Sequence, residues 1–396
     1  MSENLEKQLG FGTRAVHTGN EISTETGAIE RPLTLANSYA LPYDASTMNW
    51  SDPEKNIYTR NGGANQRYLQ EKIASLEGGE DCVVLASGVA ALSGLFFALL
   101  KSGDHVIFSS VTYIAVYRLL NELFNNKFGV ETTIVDVSDL DAVKAAIRPN
   151  TKLIHVESPG NPTLGICDIR ALADIAHENG ALLSVDNTFC SPYTQRPIEL
   201  GADFSVESLT KYINGHGDAM GGSITGKKEY LDIIRAQAQV NLGGTISPFN
   251  AWLIMRGAVT LPLRMQKHND NAMKVARFLK TVKGVSFVAY PGLEDHKGHE
   301  IAKSQMENGF GGMLSFGLNA DHDTYNRFVS HLKVITSAVS LGHAGSLIVF
   351  IGEDDERQYL YPEEFHNGFF RFSTGLEDAE DIINDLKQAF EKENLL

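Results

Sequence analysis

Two stretches decide the fold class: Ala181-Leu-Leu-Ser-Val-Asp186 and Ser208-Leu-Thr-Lys-Tyr-Ile-Asn-Gly-His-Gly217. The first is an apolar run that ends in a single carboxylate, which is typical of a buried strand with a polar residue at its carboxyl end. Open α/β sheets bind ligands at that edge. The pair therefore predicts an α/β protein whose functional site includes Asp186 and Lys211.

The chemistry of these two residues points to one cofactor. Lys211, near Ser208 and Thr210, becomes a nucleophile if it is desolvated or lies near another cation. A lysine nucleophile and an aspartate partner are the minimum needed to hold pyridoxal phosphate, through a Schiff base at one end and the pyridinium nitrogen at the other. Taken singly, each is equally explained as a surface lysine or an aspartate at the edge of the core.

The surrounding pattern predicts a mostly parallel sheet covered on both faces, because short apolar strands alternate with helix-like spans. The predicted strands are 82–85, 105–108, 132–135, 153–156, 182–185 and 204–206. From residue 284 the alternation changes and indicates a smaller α+β domain. We expect an extended N-terminal arm (1–60), a cofactor-binding large domain (61–256) and a C-terminal domain (257–396).

Composition excludes several classes of protein. The 396 residues are 43% hydrophobic and carry a net charge of −15, which argues against nucleic acid or an anionic membrane as the main partner. The three cysteines have no metal-ligand spacing, so we expect no metal site and free thiols in a reducing, cytoplasmic compartment. No signal-peptide or membrane-spanning pattern is present. No G-x-G-x-x-G or Walker loop follows a strand, which disfavours a nucleotide-binding protein.

Two short segments are candidates for holding a phosphate. Ser87-Gly88-Val89 joins a predicted strand to a helix, whose N-terminus offers free N–H groups and a positive dipole end. Tyr58 and Arg60 offer a phenol and a guanidinium fork. Either segment alone is also explained by an ordinary turn or a solvated arginine.

Three further residues are candidates for contacting a cofactor or substrate. Tyr113 follows the second strand, where its ring could stack on a flat heterocycle or simply belong to the core. Asn161 lies in a turn and could donate to a cofactor oxygen. Arg371 lies within the apolar strand Phe369-Phe-Arg-Phe372, where it needs a partner: a substrate carboxylate or a structural ion pair.

With these motifs in view, the chain resembles the Cys/Met-metabolism family of pyridoxal-phosphate enzymes, which includes methionine γ-lyase, cystathionine γ-lyase, cystathionine γ-synthase and cystathionine β-lyase. The resemblance runs nearly end to end and implies the fold type I, aspartate-aminotransferase-like architecture. It is carried by the motifs Tyr58-Thr-Arg60, Leu76-Glu-Gly-Gly79, Ala86-Ser-Gly-Val89, Glu157-Ser-Pro-Gly-Asn-Pro162, Val185-Asp-Asn-Thr188, Ser208–His216, Ser247-Pro248 and Tyr290-Pro-Gly-Leu293.

The resemblance implies a role for each predicted cofactor residue. Lys211 would bond to the cofactor and move protons, Asp186 would pair with the ring nitrogen, and Tyr113 would stack on the ring and assist proton transfer. The implied phosphate ligands are Ser87, Gly88, Val89, Ser208 and Thr210.

The family also implies a site shared between subunits of a homodimer or homotetramer. Tyr58 and Arg60 would reach the phosphate of the neighbouring subunit. Asn161, Ser340 and Arg371 would bind the cofactor oxygen and the substrate carboxylate.

The substrate pocket departs from the family pattern. Ile114-Ala115 replaces the Gly-Gly or Gly-Cys that often follows the tyrosine, and Gln239-Val240 replaces a Lys-Asp pair. Val339 resembles methionine γ-lyase and suits a short uncharged side chain. The acidic run 353–356 is either a solvated loop or a partner for a distal cation, as on canavanine.

These features predict a pyridoxal-phosphate carbon–heteroatom lyase that performs γ-elimination on an L-amino acid, giving a 2-oxo acid and ammonia. The alternatives are a γ-replacement synthase or sulfhydrylase on an activated homoserine, a cystathionine β-lyase, and a catalytically silent scaffold that binds the cofactor. Intact Lys211, Tyr113 and Arg371 argue against the last.

Overall fold

A computed structural model describes residues 8–46, 48, 56–352 and 354–396. Its larger sheet has the spatial order β1-β7-β6-β5-β4-β2-β3, and β7 alone is antiparallel to both of its neighbours. The strands are β1 Asp81–Leu85, β2 His105–Ser109, β3 Glu131–Val135, β4 Thr151–Glu157, β5 Leu182–Asp186, β6 Phe204–Glu207 and β7 Gly222–Gly226.

The mostly parallel sheet is confirmed, but the sequence pattern missed β7. A five-residue strand with glycine at both ends offers little apolar signal, since glycine is depleted in strands. Its neighbours require those glycines, because a Cβ on Gly222 would lie 2.2 Å from the carbonyl oxygen of Ser87.

Helices cover both faces of this sheet, as expected for a parallel sheet whose strands are apolar on both sides. Apolar clusters lie on each face, one around α3 and one around α7. The helices of this part are α1 Phe11–His17, α2 Ala64–Glu77, α3 Gly88–Leu99, α4 Ile114–Tyr117 continued by π-helical turns at Arg118–Phe124, α5 Asn125–Phe128, α6 Leu140–Ala146, α7 Ile169–Glu178, α8 Ser191–Thr194 and α9 Lys228–Ile234, which passes into π-helical turns at Arg235–Asn241.

The second sheet is smaller and mostly antiparallel, with the order β10-β11-β12-β9-β8. Its strands are β8 Val285–Ala289, β9 Met313–Leu318, β10 Thr336–Ser337, β11 Leu347–Ile351 and β12 Phe369–Ser373. Its helices are α12 His299–Gln305, α13 His322–His331 and α14 Ala379–Lys392. The expected α+β arrangement is therefore present, with a core of aromatic and aliphatic side chains between sheet and helices.

Two helices link the sheets. Helix α10 (Pro248–Val259) packs against α2, whereas α11 (Leu261–Leu279) packs against β8, β9 and α14. The large domain's proposed end at residue 256 falls inside α10, three residues before that helix ends; we retain the division of the chain as a proposal.

The first half of the N-terminal segment differs from the expected extended arm. Its first half is packed on the same chain: α1 lies against α2 and α10, and the Trp252 indole donates to the Arg31 carbonyl at 3.1 Å. Ala15 is fully buried, so this short helix gains apolar contacts on its own subunit. Beyond it, Leu35 and Tyr43 are exposed and remain available to a neighbouring subunit.

None of the helices among the described residues is both long enough and apolar enough to cross a membrane.

Arg264 of α11 hydrogen-bonds to the loop that carries Lys211 and so holds that loop in place. Its guanidinium donates to the carbonyls of Tyr212 (2.5 Å), Ile213 (3.1 Å) and Gly257 (2.8 Å). Arg264→Met would leave the carbonyls of Tyr212 and Ile213 unpaired, so we expect the free energy of unfolding to fall by roughly 2–4 kcal/mol. Denaturant unfolding of both proteins measures this. Arg277→Met, on the exposed face of the same helix, is the matched control; equal loss in both variants would contradict the assignment.

Candidate active site

The amine of Lys211 lies where the two sheets meet. Its Nζ donates to the Oγ of Ser340 at 2.7 Å, and Ser340 lies between β10 and β11 with a φ of +83°. Burial and the nearby Arg371 charge lower the pKa of Lys211 to about 8. Since both causes disfavour the ammonium form, a sizeable share of this amine is neutral near physiological pH.

Asp186 ends β5 directly beside Glu157, which ends β4, as the strand register requires. It is 7% exposed, and burial raises the pKa of its carboxyl. The carboxylate accepts the backbone N–H of Thr188 at 3.1 Å, while the Thr188 hydroxyl accepts the N–H of Ser208 at 2.9 Å. Thr188 thus connects the carboxylate to the loop that carries Lys211.

A narrow space, called the phosphate seat below, lies between Ser87-Gly88 at the N-terminus of α3 and Ser208. Ser87 is the N-cap residue and accepts the N–H of Ala90 at 3.1 Å, so its backbone is held at the helix entrance. Gly88 faces Ser208 so closely that an added Cβ would lie 2.8 Å from the serine Cβ. Free N–H groups and the positive end of the helix dipole make this seat suited to an anion.

The remaining two predicted phosphate ligands frame the same seat. The hydroxyl of Thr210 accepts the N–H of Gly221 at 3.1 Å, which holds the turn after Ser208 against the segment before β7. Val89 occupies the first turn of α3 and is 37% exposed, which leaves its surroundings open to a bound group.

Glu157 organises two predicted cofactor residues. Its carboxyl accepts the N–H of Tyr113 at 2.6 Å and the N–H of Asn161 at 3.1 Å. The acid is buried, and burial together with the charge of Asp186 raises its pKa well above the ordinary value. The Tyr113 ring is 38% exposed, so it lies at the open side of the site.

Arg371 joins the residues expected to bind the substrate carboxylate. Its Nη1 donates to the Asn161 Oδ1 and its Nη2 donates to the Ser340 carbonyl, both at 3.1 Å. These oxygens are uncharged, so the guanidinium charge is still available to an anion. The adjacent Val339 is 76% exposed.

The acidic run after β11 has partners within the chain. Asp355 accepts from Arg357 at 2.6 Å, and hydrogen bonds from that arginine hold the carboxyl pKa below its ordinary value. Glu356 pairs with Arg118 at 2.8 Å, with both side chains well exposed. Glu353 lies outside the described residues. Asp355 and Glu356 are therefore ion-paired within the chain rather than free carboxylates.

The side chains of Tyr58 and Arg60 lie close together. The Arg60 guanidinium lies 5.1 Å from the centre of the Tyr58 ring, and Gln239 donates to the Arg60 carbonyl at 3.1 Å. Within the described residues, neither side chain hydrogen-bonds to Ser87 or Ser208.

Sequence reasoning assigned no role to Glu157, Thr188 or Arg357. The first two lie at or just beyond the carboxyl ends of predicted strands, the same signal that singled out Asp186. Arg357 carried no such signal, because its role depends on a contact with the Thr112 carbonyl from a distant part of the chain.

Comparison with known proteins agrees with this geometry. The family model for Cys/Met metabolism PLP-dependent enzymes matches residues 12–391. The chain belongs to this family. It is 56% identical to a canavanine γ-lyase of Rhizobium leguminosarum bv. trifolii (97% of this chain, 96% of the relative) and 39% identical to an L-methionine γ-lyase of Treponema denticola (98% of each). The crystal structure of metB from Corynebacterium glutamicum superposes with a TM-score of 0.91 at 38% identity, covering 98% of this chain and 99% of that one.

Membership makes the chain a pyridoxal-phosphate enzyme of the carbon–heteroatom lyase type, and the site fits that cofactor. The seat at Gly88 has no room for a side chain but offers backbone N–H groups for a phosphate. The buried carboxyl of Asp186 would regain its charge beside a pyridinium nitrogen. Lys211 supplies an amine of reduced pKa for the aldehyde.

The pKa of Lys211 predicts how cofactor-free protein captures pyridoxal phosphate. Only the neutral amine attacks the aldehyde, so the capture rate should rise about tenfold per pH unit below pH ~8 and level off above it. Stopped-flow absorbance of apoprotein mixed with pyridoxal phosphate between pH 6 and 10 measures this. Lys211→Arg should show only the absorbance of the added pyridoxal phosphate; a rate still rising at pH 10 would contradict the lowered pKa.

Proposed function

We propose that this enzyme performs γ-elimination on canavanine, with hydroxyguanidine as the leaving group when the Cγ–O bond breaks. The proposal is supported by the 56% identity to a protein named canavanine γ-lyase, against 39% for one named methionine γ-lyase. It is also supported by the departures from the methionine γ-lyase pattern at Ile114-Ala115 and Gln239-Val240.

Different residues of the chain carry out different steps of the proposed reaction. Arg371 and Asn161 bind the substrate carboxylate and so orient the Cα–H bond towards Lys211. Lys211 removes the proton from Cα and then one from Cβ, while Tyr113 assists departure of the γ-substituent. When bound, pyridoxal phosphate supplies the electron sink for the negative charge at Cα.

The distal guanidinium of canavanine needs a negative partner, and the residue we propose for this role is Glu356. A cavity of about 440 Å³ opens beside Tyr113, and its lining includes Ala115, Arg118 and Glu122. Glu356 pairs with Arg118 at its edge, and both are solvent-accessible. A substrate guanidinium can therefore replace Arg118 on this carboxylate at little cost, since exposed pairs are weak.

The direct test is product analysis with holoenzyme supplied with canavanine, methionine, cystathionine or activated homoserine. We expect canavanine to give hydroxyguanidine, with 2-oxobutanoate and ammonia as the remaining products. Its kcat/KM should exceed that for methionine by about tenfold or more, because a charged group is recognised at the distal end. Turnover of methionine at equal efficiency would contradict the substrate assignment.

The same assay separates the alternatives. A γ-replacement synthase needs an added thiol before it releases product efficiently, and a cystathionine β-lyase releases pyruvate rather than 2-oxobutanoate. A silent scaffold would release nothing from any substrate.

Glu356→Gln removes the proposed partner of the guanidinium but keeps the shape of the side chain. We expect KM for canavanine to rise by about fivefold, as for loss of one partly exposed ion pair, with little change in kcat. KM for methionine should be unaffected. Steady-state kinetics of both substrates measures this.

Glu364→Gln is the matched control, because Glu364 is also ion-paired and is exposed to a similar degree, at 43% against 40%. An equal rise in KM for both substrates, or in both variants, would show that Glu356 does not select the cation.

We further propose that the enzyme is a homodimer or a homotetramer in which each active site is shared between two subunits. Tyr58 and Arg60 form an exposed pair next to a segment with exposed Leu35 and Tyr43, and large apolar side chains at the surface favour a protein partner. In this arrangement the Arg60 guanidinium reaches the phosphate seat of the neighbouring subunit.

Complementation tests the sharing. Arg60→Ala and Lys211→Ala subunits should each be inactive at limiting cofactor. After mixing and reassembly, half the dimers carry one intact site, so activity should return to roughly a quarter of wild type. Analytical ultracentrifugation confirms reassembly. No recovery in mixed dimers, or full activity of Arg60→Ala alone, would contradict shared sites.

The cytoplasm is the compartment we propose. Cys82, Cys167 and Cys190 are free and buried, which fits a reducing environment.

A further inference from the structure

Arg357 and Glu157 hold opposite ends of one peptide group, the one that joins Thr112 to Tyr113. The Nη1 of Arg357 donates to the Thr112 carbonyl, and a Glu157 carboxyl oxygen accepts the Tyr113 N–H at 2.6 Å. Glu157 ends β4 of the larger sheet, whereas Arg357 lies in the segment after β11 of the smaller one. The backbone directly before the Tyr113 ring is therefore fixed by two ionisable side chains that come from different sheets.

The guanidinium of Arg357 is itself held in place. Its side chain is 7% exposed, and its Nε and Nη2 donate to the two carboxylate oxygens of Asp355 at 2.9 Å and 2.6 Å. The hydroxyl of Tyr361 also donates to that carboxylate, at 3.0 Å. Two parallel hydrogen bonds fix the plane of a guanidinium, so its third nitrogen is directed at the Thr112 carbonyl. A lysine ammonium has no such planar fork.

The segment after β11 contacts α4 and its π-helical continuation at two further points. The hydroxyls of Tyr359 and Tyr117 lie 3.1 Å apart, and Glu356 pairs with Arg118 at 2.8 Å. Both of these contacts are exposed, whereas the hydrogen bond of Arg357 is buried. Since exposed polar pairs contribute little to stability, Arg357 is the contact that can hold this region most firmly.

The direction of the Tyr113 ring depends on its backbone. Its hydroxyl makes no hydrogen bond to any residue that the structure describes, and the residue is 38% exposed. Tyr113 is the N-cap of α4, so no earlier turn of that helix lies beneath the ring. A ring without such supports takes its direction from the peptide group before it, which is the group that Arg357 and Glu157 hold.

We propose that Arg357 is a positioning residue that holds the ring of Tyr113 where it can stack on the cofactor. It acts through the Thr112 carbonyl rather than by contacting the reacting groups. The inference rests on the stacking role proposed for Tyr113 but not on the identity of the amino-acid substrate. It accounts for a donor that points at a backbone carbonyl from a guanidinium whose charge Asp355 already balances.

Hydrogen exchange of the cofactor-free protein tests this constraint without turnover. In Arg357→Met the Tyr113 amide should exchange about tenfold faster than in wild type, because only Glu157 still holds the peptide group. Mass spectrometry of a peptic fragment covering residues 110–117, with electron-transfer fragmentation, resolves this amide.

Arg357→Lys is a milder variant that keeps a positive charge beside Asp355. The Tyr113 amide should still exchange at least about threefold faster, since an ammonium lacks the planar fork that reaches both the carboxylate and the Thr112 carbonyl. This variant answers the same question if Arg357→Met does not fold. Exchange at the wild-type rate in either variant would overturn the proposal.

Arg235→Met is the matched control. Arg235 is also buried, pairs with Asp81 at 2.7 Å and donates to the Cys82 carbonyl at 3.3 Å, but it does so at the amino end of β1, away from the phosphate seat. This variant should leave exchange at Tyr113 unchanged. A rise equal to that in Arg357→Met would mean general destabilisation and would also overturn the proposal.

Visible circular dichroism of the holoenzyme, normalised to bound cofactor, reports on the ring itself. Tyr113→Ala and Arg357→Met should each lose about half of the cofactor band, because a stacked aromatic ring contributes to it. The double variant should lose no more than Tyr113→Ala alone. Additive losses would show that Arg357 acts apart from Tyr113 and would overturn the proposal. An unchanged band in Tyr113→Ala would instead refute the stacking role on which the inference rests.

Discussion

The hydrogen bond from Lys211 to Ser340 is the contact on which the site depends, because it joins elements of the two sheets. Lys211 follows β6 of the larger sheet, and Ser340 precedes β11 of the smaller one. Closing the sheets together removes water from the amine, and the approach of Arg371 adds a like charge. Both effects act on the same group, so folding itself converts an ordinary lysine into a nucleophile.

Each sheet contributes a different kind of group. The carboxyl ends of β4 and β5 place Glu157 and Asp186 side by side, and burial raises the pKa of both acids. The smaller sheet contributes the cation Arg371 from β12. These charges are complementary to a cationic ring on one side and to the carboxylate of an amino acid on the other.

The segment to which we assign substrate selectivity lies outside both sheets. The turn that follows β11 brings Arg357 against the Thr112 carbonyl and Glu356 against Arg118, so it packs beside Tyr113. Under the proposed function, a small change in this segment would alter the partner of the substrate's distal end without disturbing Lys211 or Asp186.

Local pattern was sufficient for the strands β1 to β6 and for the residues at their ends, because apolar runs and terminal polar groups are recorded directly in the sequence. Asp186, Lys211 and Ser87 were found in this way. It was not sufficient for β7, whose Gly222 leaves room for the neighbouring Ser87 carbonyl. Nor was it sufficient for the first half of the N-terminal segment, which packs on α2 and α10.

The sequence by itself determined the cofactor, the sheet type and the family, since these depend on residue types at short spacing. Only the tertiary structure decided which charges are paired and how far the lysine pKa falls. The reason is physical: desolvation and hydrogen bonding between residues more than a hundred positions apart depend on packing, which local sequence does not record.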